Sequence, residues 1–311
     1  MKKIILTQFI GKIILLILPI PVLFVCLFYL GYLPVLSDSI SFDAKAYELK
    51  RVNLKQVDMM VIGSSVALND LNSKIITDNF PVSYYNFGVW SIQIGDDYSL
   101  LKHYVLKYKP KYVILPTTMH DFTSVPDASL PYNIDLNDQL LGYYYIKNFA
   151  NLYEIIKRKS ALALSRKDNN RYDCLKYDNW GGVELQLTKE TISPVRLKEF
   201  IGGFPSQNTP AAYQNLVDMA AFLKQNQVKL ILIQTPYTHS FVNTVQLQEN
   251  VNVHFNKCKE IVENSGGTYL NYHDFFGIND NGMFVDPSHL SGEGSKLFTR
   301  KIISDLRAVI R

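Results

Sequence analysis

The stretch Val57-Asp-Met-Met-Val-Ile62, followed by Gly63-Ser64-Ser65, decides the fold that we predict for this chain. A short apolar run that ends at a glycine turn is typical of a buried β-strand, and a helix-like pattern follows from about Leu71. A buried strand, a tight turn and a helix form the first half of a βαβ unit. The stretch therefore predicts an α/β fold that begins near residue 57.

The same alternation recurs along the rest of the chain. Apolar runs predict four more strands, at Val82–Gly88, Lys111–Pro116, Val228–Ile233 and Thr268–Asn271. Helical patterns are present at about 92–108, 211–225, 246–264 and 297–310. Strands that alternate with helices predict a mostly parallel sheet covered by helices on both faces, which binds its ligands at the carboxyl ends of the strands.

Residues 123–210 interrupt this alternation of strands and helices. They contain an apolar helical stretch at about 137–164 and then a polar segment rich in asparagine and glycine, with Trp180 inside it. Long insertions beside strand ends often cover a binding site. We therefore predict that 123–210 is a lid-like insertion, in which Trp180 either stacks on a sugar ring or is buried.

The N-terminal region predicts a membrane anchor. Residues 13–36 carry no charge and are numerous enough to cross a bilayer as one helix. Lys2, Lys3 and Lys12 lie directly before this run, so the positive-inside bias places residues 1–12 in the cytoplasm and the body outside. No small-x-small cleavage site follows the run, which favours a retained anchor over a cleaved signal. We expect residues 37–56 to form a polar linker, with a short helix, that leads to a domain at 57–311.

Charge and cysteine usage exclude several functions. The net charge is +4, and Lys2, Lys3 and Lys12 supply three of these charges, which leaves +1 for the rest. A nearly neutral body has no electrostatic footprint for nucleic acid. The spacing of Cys26, Cys174 and Cys258 fits no metal or redox site, and no H-E-x-x-H motif is present. We predict neither a metal nor a cofactor.

Four polar segments follow predicted strands and should meet at one edge of the sheet. They are Gly63–Ser65, Asn86–Ser91, Thr118–Asp121 and Asp286–His289. Acyl chemistry at a serine needs a hydroxyl, a base, a carboxylate that orients the base, and donors for the developing oxyanion. The four segments contain all of these groups.

Each candidate also has an ordinary structural interpretation. Ser64 and Ser65 could both cap the following helix, and Asp286 could be a turn or cap residue. His273-Asp274 is a rival pair after the last strand, although adjacent side chains point apart. Residues 63–67 read G-S-S-V-A, so the G-x-S-x-G elbow of α/β-hydrolases is absent.

The order of G-x-S, N-x-G, a third block and D-x-x-H resembles the SGNH (GDSL-type) hydrolase superfamily, over about residues 57–311 without the insertion. The resemblance implies a flavodoxin-like three-layer sandwich. It places the nucleophile on Ser65, the base on His289 and the orienting carboxylate on Asp286. The anchor and the G-S-S motif are similar to the membrane-anchored cell-envelope branch, such as D-alanyl-lipoteichoic-acid transfer and alginate acetylation proteins.

Two positions depart from the family pattern at the oxyanion hole, to which the resemblance assigns Ser65, Ser91 and His120. Ser91 stands where the family usually has a glycine, and it still has a backbone N–H. The third block is usually G-x-N-D, but here it reads Thr118-Met-His120-Asp121. An imidazole N–H can donate a hydrogen bond in place of the asparagine amide.

The resemblance implies a bacterial single-pass membrane protein that transfers or hydrolyses acyl esters, most simply acetyl esters, of a cell-envelope polysaccharide. Two alternatives remain open. The chain could be a plain esterase on lipids or small esters, or a non-catalytic accessory subunit of a multi-span membrane acyltransferase.

Overall fold

The computed structural model describes residues 2–29, 39–123, 152–167, 170–187, 209–239, 241, 245–280 and 282–310. In chain order the elements are helices α1 Lys2–Ile17, α2 Pro19–Tyr29 and α3 Ile40–Val52, strand β1 Met59–Val61, helices α4 Ser65–Asn69 and α5 Ser73–Asn79, strand β2 Tyr84–Asn86, helix α6 Ile94–Tyr108, strand β3 Tyr112–Thr117, a 3-10 helix Met119–Phe122, helices α7 Leu152–Ser165 and α8 Pro210–Gln225, strand β4 Lys229–Gln234, helix α9 Val245–Asn264, strand β5 Thr268–Asn271 and helix α10 Gly292–Val309.

The five strands form one parallel sheet in the order β2-β1-β3-β4-β5. This is the flavodoxin-like order: β2 is added on one side of β1, and β3 to β5 are added on the other, so the strand order reverses between β1 and β3. Ligands bind beyond the carboxyl ends of the strands at such a switch point. All five predicted strands are present, and the predicted fold class is confirmed.

Alternate residues of each strand face opposite sides of the sheet, and each side has its own apolar core. On one side, Met60, Ile62 and Leu232 pack with side chains of α6 and α8. On the other side, Met59 and Val61 pack with side chains of α5 and α10. The β1 residues Met59, Met60 and Val61 are fully buried. The molecule is therefore a three-layer sandwich in which β1 is covered on both faces.

The last helix begins earlier than its apolar pattern suggested. We predicted helix from Leu297, but α10 begins at Gly292, where the Ser291 side chain accepts a hydrogen bond from the backbone N–H of Gly294. This capping contact satisfies a donor at the start of the helix. The helix therefore starts three residues after His289, and its first turn fixes the end of the loop that carries this histidine.

Helix α3 lies in the stretch that we predicted as a linker, and it packs into the body. Ser41, Asp43, Ala44 and Lys45 are buried there. The Lys45 ammonium donates to the backbone carbonyls of Asn86 at 2.8 Å and of Gly181 at 2.5 Å. A buried cation is tolerated only when it is paired or well hydrogen-bonded. Lys45 therefore joins α3 to the loop after β2 and to the insertion.

Only part of the predicted insertion is described. Within it, α7 occupies the second half of the predicted helical stretch, and residues 170–187 pack against the sandwich. The backbone N–H of Asn86 donates to the carbonyl of Trp180, and that of Val183 donates to Leu68. Trp180 itself is partly buried among apolar side chains of the α10 side of the core. The remaining parts of 123–210 lie outside the described residues.

Near the N-terminus, one helical window is long and apolar enough to cross a membrane. It extends from Leu6 to Leu23 and none of it is buried. The predicted span at 13–36 overlaps this window, but 30–36 lie outside the described residues. A signal sequence near the N-terminus also meets these criteria of length and apolarity, so the membrane topology stays a prediction.

Candidate active site

The turn after β1 places two serines at the carboxyl edge of the sheet. Gly63 has a φ of 147°, a backbone conformation that side chains rarely adopt. A Cβ atom at this position would lie 2.8 Å from both the Ala67 Cβ and the Pro116 carbonyl oxygen. Glycine therefore allows β1 to turn directly into α4. Ser64 is the N-cap of α4, and Ser65 is its first residue.

Ser65, His289 and Asp286 form a continuous chain of hydrogen bonds. The Ser65 Oγ lies 2.7 Å from the His289 Nε2, although the two residues are 224 positions apart in the sequence. The other ring nitrogen, Nδ1, lies 2.7 Å from the Asp286 Oδ2. A proton on Nδ1 is held by the carboxylate, which leaves Nε2 as an acceptor for the serine proton.

The loop that carries Asp286 is held rigidly. The backbone N–H groups of Ser288 and His289 donate to the Asp286 Oδ1 at 2.8 and 2.9 Å. The Leu290 N–H donates to the buried Asp70 Oδ1 at 2.9 Å, which ties this loop to the end of α4. These bonds fix the imidazole beside Ser65, even though the loop follows the edge strand β5 at the far side of the sheet.

Asp286 and His289 each stabilise the charged form of the other. Burial by itself lowers the pKa of His289, but the charge and hydrogen bond of Asp286 outweigh it, and the pKa is raised above its ordinary 6.5. Burial by itself raises the pKa of Asp286, but His289 and the hydrogen-bond donors outweigh it, and the pKa falls below 3.8. Asp286 therefore stays ionised and favours the imidazolium form of His289.

The structure distinguishes the two serines. Ser64 is 4% exposed, and its hydroxyl hydrogen-bonds to the buried carboxylate of Asp121. Ser65 instead meets the His289 imidazole. The rival pair is arranged differently: the His273 Nδ1 lies 3.1 Å from the Asn271 Oδ1, and Asp274 lies 3.8 Å from the His239 ring.

Asn86 positions the loop after β2 and does not face the triad. Its Nδ2 donates to the Ala67 carbonyl at 2.6 Å, and its Oδ1 accepts from the Gly88 N–H at 2.8 Å. A Cβ at Gly88 would lie 2.7 Å from the Leu68 backbone nitrogen. The N-x-G pattern therefore brings this loop against α4. Farther along it, Ser91 has a φ of 59°, a conformation that glycine adopts more readily than serine.

His120 lies on the 3-10 helix after β3, and Asp121 shapes that turn. The Asp121 Oδ2 accepts from the Thr118 N–H at 2.7 Å and from the Thr117 hydroxyl at 3.1 Å. Burial, with the nearby charge of His289, lowers the pKa of His120 to about 4. His120 is therefore neutral near pH 7, and a neutral imidazole has one N–H to donate.

Tyr172 is a residue of this site that the sequence analysis missed. Its hydroxyl donates to the Asp286 Oδ2 at 2.6 Å and lies 3.5 Å from the His289 Nδ1. Its ring also meets the His289 ring edge to face, with centroids 6.1 Å apart. The residue belongs to the insertion and to no motif, so no local signal in the sequence indicated it.

Two clefts meet at the Ser65–His289 pair. The first, the His120 cleft, has a volume of about 280 Å³ and is also lined by Ser91, Gln93, Thr118 and Thr123. The second, the Trp90 cleft, has a volume of about 220 Å³ and is also lined by Asn69, Trp90, Ser91, Tyr172 and Asp173. In the described part of the chain, no group of three or more histidine, cysteine or acidic side chains could hold a metal ion.

Comparison with known proteins finds similarity in fold only. No family model and no curated protein matches the sequence. A catalytic mutant of an acetylxylan esterase from Geobacillus stearothermophilus is 11% identical over 81% of this chain and 95% of its own, with a TM-score of 0.44. An α/β hydrolase enzyme from the metagenome of Lake Arreo, Spain, is 9% identical over 79% and 93%, with the same TM-score. Similarity this low does not identify what the present chain acts on.

The fold and the geometry of the site together define the class of protein to which the chain belongs. The chain is a parallel α/β sandwich of flavodoxin-like order, with a hydrogen-bonded serine, histidine and aspartate at its switch point. The sequence-predicted Ser65, Ser91, His120 and His289 line one cleft, and Asp286 lies directly behind His289.

Proposed function

We propose that this protein is a membrane-anchored serine esterase or acyltransferase that acts on acyl esters, most simply acetyl esters, of a cell-envelope polysaccharide. The observation that carries the proposal is the chain of two 2.7 Å contacts from the Ser65 Oγ through His289 to Asp286. This is the arrangement that activates a serine hydroxyl for attack on a carbonyl carbon.

The chemistry follows from that geometry in two half-reactions. The Ser65 Oγ attacks the ester carbonyl carbon while His289 Nε2 takes the hydroxyl proton. The tetrahedral intermediate then expels the alcohol, which leaves with the proton from His289, and an acyl-Ser65 remains. Water or a sugar hydroxyl next attacks the acyl carbon as His289 takes its proton. His289 returns that proton to Ser65 as the new acid or ester departs.

Developing negative charge on the carbonyl oxygen needs hydrogen-bond donors. The backbone N–H groups of Ser65 and Ser91 and the imidazole of His120 are our candidates. All three residues line the His120 cleft. The lowered pKa of His120 supports its role as a neutral donor. A neutral imidazole keeps its single N–H proton during the reaction, whereas an imidazolium could give one up. Donors placed for the transition state lower the barrier without tightening substrate binding.

His120→Ala is therefore expected to lower kcat by about 10²- to 10³-fold with little change in KM, since one oxyanion donor is lost. His120→Asn should recover much of the activity, because its amide can donate from a similar position. Steady-state kinetics with a soluble acetyl ester measures both. An unchanged kcat in His120→Ala would mean that His120 only shapes the loop.

Membrane attachment is part of the proposal. The apolar helical window Leu6–Leu23 and the preceding lysines support an N-terminus in the cytoplasm and a body outside. Protease added to intact spheroplasts should then digest the body, while the cells' cytoplasmic proteins stay intact. A body that is protected, or that is released as a soluble protein, would contradict this topology.

Transfer and hydrolysis differ only in which acceptor reaches the acyl-Ser65. The Trp90 cleft beside Ser65 is lined by aromatic and polar side chains, which favours a sugar hydroxyl as that acceptor. We expect acetyl groups to move from a donor ester to a glycan oligomer faster than to water. Mass spectrometry of the oligomer, compared with the free acetate released, measures the two rates. Free acetate alone, at a rate indifferent to the oligomer, would indicate a plain esterase.

The accessory-subunit alternative gives a different result in the same assay. A non-catalytic subunit would yield neither acetylated oligomer nor free acetate above the level of a Ser65→Ala control. This outcome would contradict the proposed function, whereas free acetate without transfer would contradict only its transferase part.

A further inference from the structure

The Trp90 cleft offers a second binding surface beside Ser65 and His289. It shares Ser65, Ser91 and His289 with the His120 cleft but is not lined by His120, and the two clefts have similar volumes, about 220 and 280 Å³. An ester has two halves, an acyl group and an alcohol, and both must lie beside the nucleophile. Of the proposed oxyanion donors, His120 lines only the His120 cleft, which leaves the Trp90 cleft for the alcohol half.

Asn69 gives this cleft an unused hydrogen-bond acceptor. The residue follows Ser65 by four positions on α4, so both side chains lie on the same face of that helix. Asn69 is only 4% exposed, lines the cleft, and its Oδ1 has no hydrogen-bond partner among the described residues. Buried polar atoms are nearly always paired, so an unpaired acceptor at a cleft wall indicates a ligand donor.

The other walls of the cleft select the kind of ligand. Trp90 and Tyr172 are partly buried and pack against one apolar cluster, so their rings form firm walls. Asp173 adds carboxylate oxygens, which accept from the Arg171 guanidinium at 2.9 and 2.8 Å and can take further hydrogen bonds only from donors. None of the described residues that line the cleft is lysine or arginine. A ligand with hydroxyl donors and an apolar face therefore fits better than an anion or an alkyl chain.

We propose that the Trp90 cleft binds the pyranose ring that forms the alcohol half of the ester, with the Asn69 Oδ1 accepting a hydrogen bond from a ring hydroxyl. This inference rests on the proposed function and specifies which part of the site recognises sugar. The same cleft would hold the acceptor sugar during transfer, because the acceptor hydroxyl must approach the acyl-Ser65 from the side that the first alcohol left.

The chain allows a direct optical test, because it contains only two tryptophans, Trp90 and Trp180. Trp180 lines neither cleft and packs in the core on the α10 side. In a Trp180→Phe protein, Trp90 is the sole source of indole emission. We add Ser65→Ala to prevent turnover and titrate methyl 6-O-acetyl-β-glucopyranoside. Saturable change of the Trp90 emission is expected, and Asn69→Leu should weaken the apparent affinity by about tenfold.

Kinetics with two acetyl esters provides the second measurement. Methyl 6-O-acetyl-β-glucopyranoside and ethyl acetate share an acyl group and differ in the alcohol. In the Trp180→Phe background, Asn69→Leu and Trp90→Leu should each raise KM for the sugar ester by about fivefold or more, with no matching change for ethyl acetate. Thermal unfolding shows whether each variant is folded, and Trp90→Leu serves if Asn69→Leu is not.

The outcomes separate this inference from the proposed function. Unchanged kinetics of the sugar ester in both variants, with activity that depends on Ser65, would overturn the sugar cleft and leave the esterase intact. Emission of Trp90 that responds to a lysophospholipid but not to the acetylated glucoside would also overturn it, in favour of a lipid alcohol. Ester hydrolysis that is unaffected by Ser65→Ala would overturn the proposed function itself.

Discussion

Ser65→Ala is expected to lower kcat for a soluble acetyl ester by on the order of 10⁴-fold or more, because it removes the hydroxyl that His289 Nε2 activates. The Ser65 Oγ is 2.7 Å from the His289 Nε2. Binding residues and oxyanion donors remain in the variant, so KM should change little. Steady-state kinetics of the purified protein, with its apolar N-terminal segment in detergent, measures the loss.

The neighbouring serine is a matched control for this variant. Ser64→Ala removes the same hydroxyl from a residue whose partner is Asp121, a carboxylate that also caps the turn after β3. We expect this variant to retain most of the activity. A serine-reactive phosphonate should label Ser65 in the wild-type protein. Labelling at Ser64, or full activity in Ser65→Ala, would refute the assignment of the nucleophile.

Asp286→Asn is expected to lower kcat by about 10⁴-fold, although the shape of the side chain is retained. The amide nitrogen can donate to His289 Nδ1 and so favour the tautomer with its proton on Nε2. That nitrogen could then no longer accept the serine proton. The variant also leaves Tyr172 without the carboxylate to which its hydroxyl donates at 2.6 Å.

The pH dependence of activity shows in which direction the charge of Asp286 moves the pKa of His289. His289 accepts a proton only when it is neutral, and Asp286 raises its pKa above 6.5. The kcat/KM of the wild-type protein should therefore rise with pH through a range above 6.5. In Asp286→Asn the raising charge is lost and burial lowers the pKa, so the rising limb should move to lower pH. A limb at the same pH in both proteins would contradict this account.

Much of the fold could be predicted because its signals are local. Each strand is an apolar run of a few residues, and burial on both faces of a parallel sheet makes such runs continuous. For the same reason, β1 to β5 were all identified near their observed positions. The start of α10 was placed too late, because its first turn is specified by the Ser291 cap and not by apolar residues.

The candidate site could be predicted in part. The order of the polar segments predicted that they meet at one edge, because parallel strands bring the residues after their carboxyl ends together, and the family resemblance then indicated Ser65, His289 and Asp286. The roles of Tyr172, Asn69 and the Trp90 cleft could not be read in this way. Tyr172 reaches Asp286 across 114 residues of sequence, and such a contact depends on how the insertion packs.

The sequence by itself determined the parallel α/β class, the N-terminal apolar segment and the polar segments that form the candidate site, since these follow from local hydrophobicity and chain order. Only the tertiary structure decided which serine meets the imidazole. Ser64 and Ser65 are adjacent in one turn, and the positive φ of Gly63 together with the packing of α4 directs one toward Asp121 and the other toward His289. Backbone direction at a turn is set by long-range packing, which a local pattern does not contain.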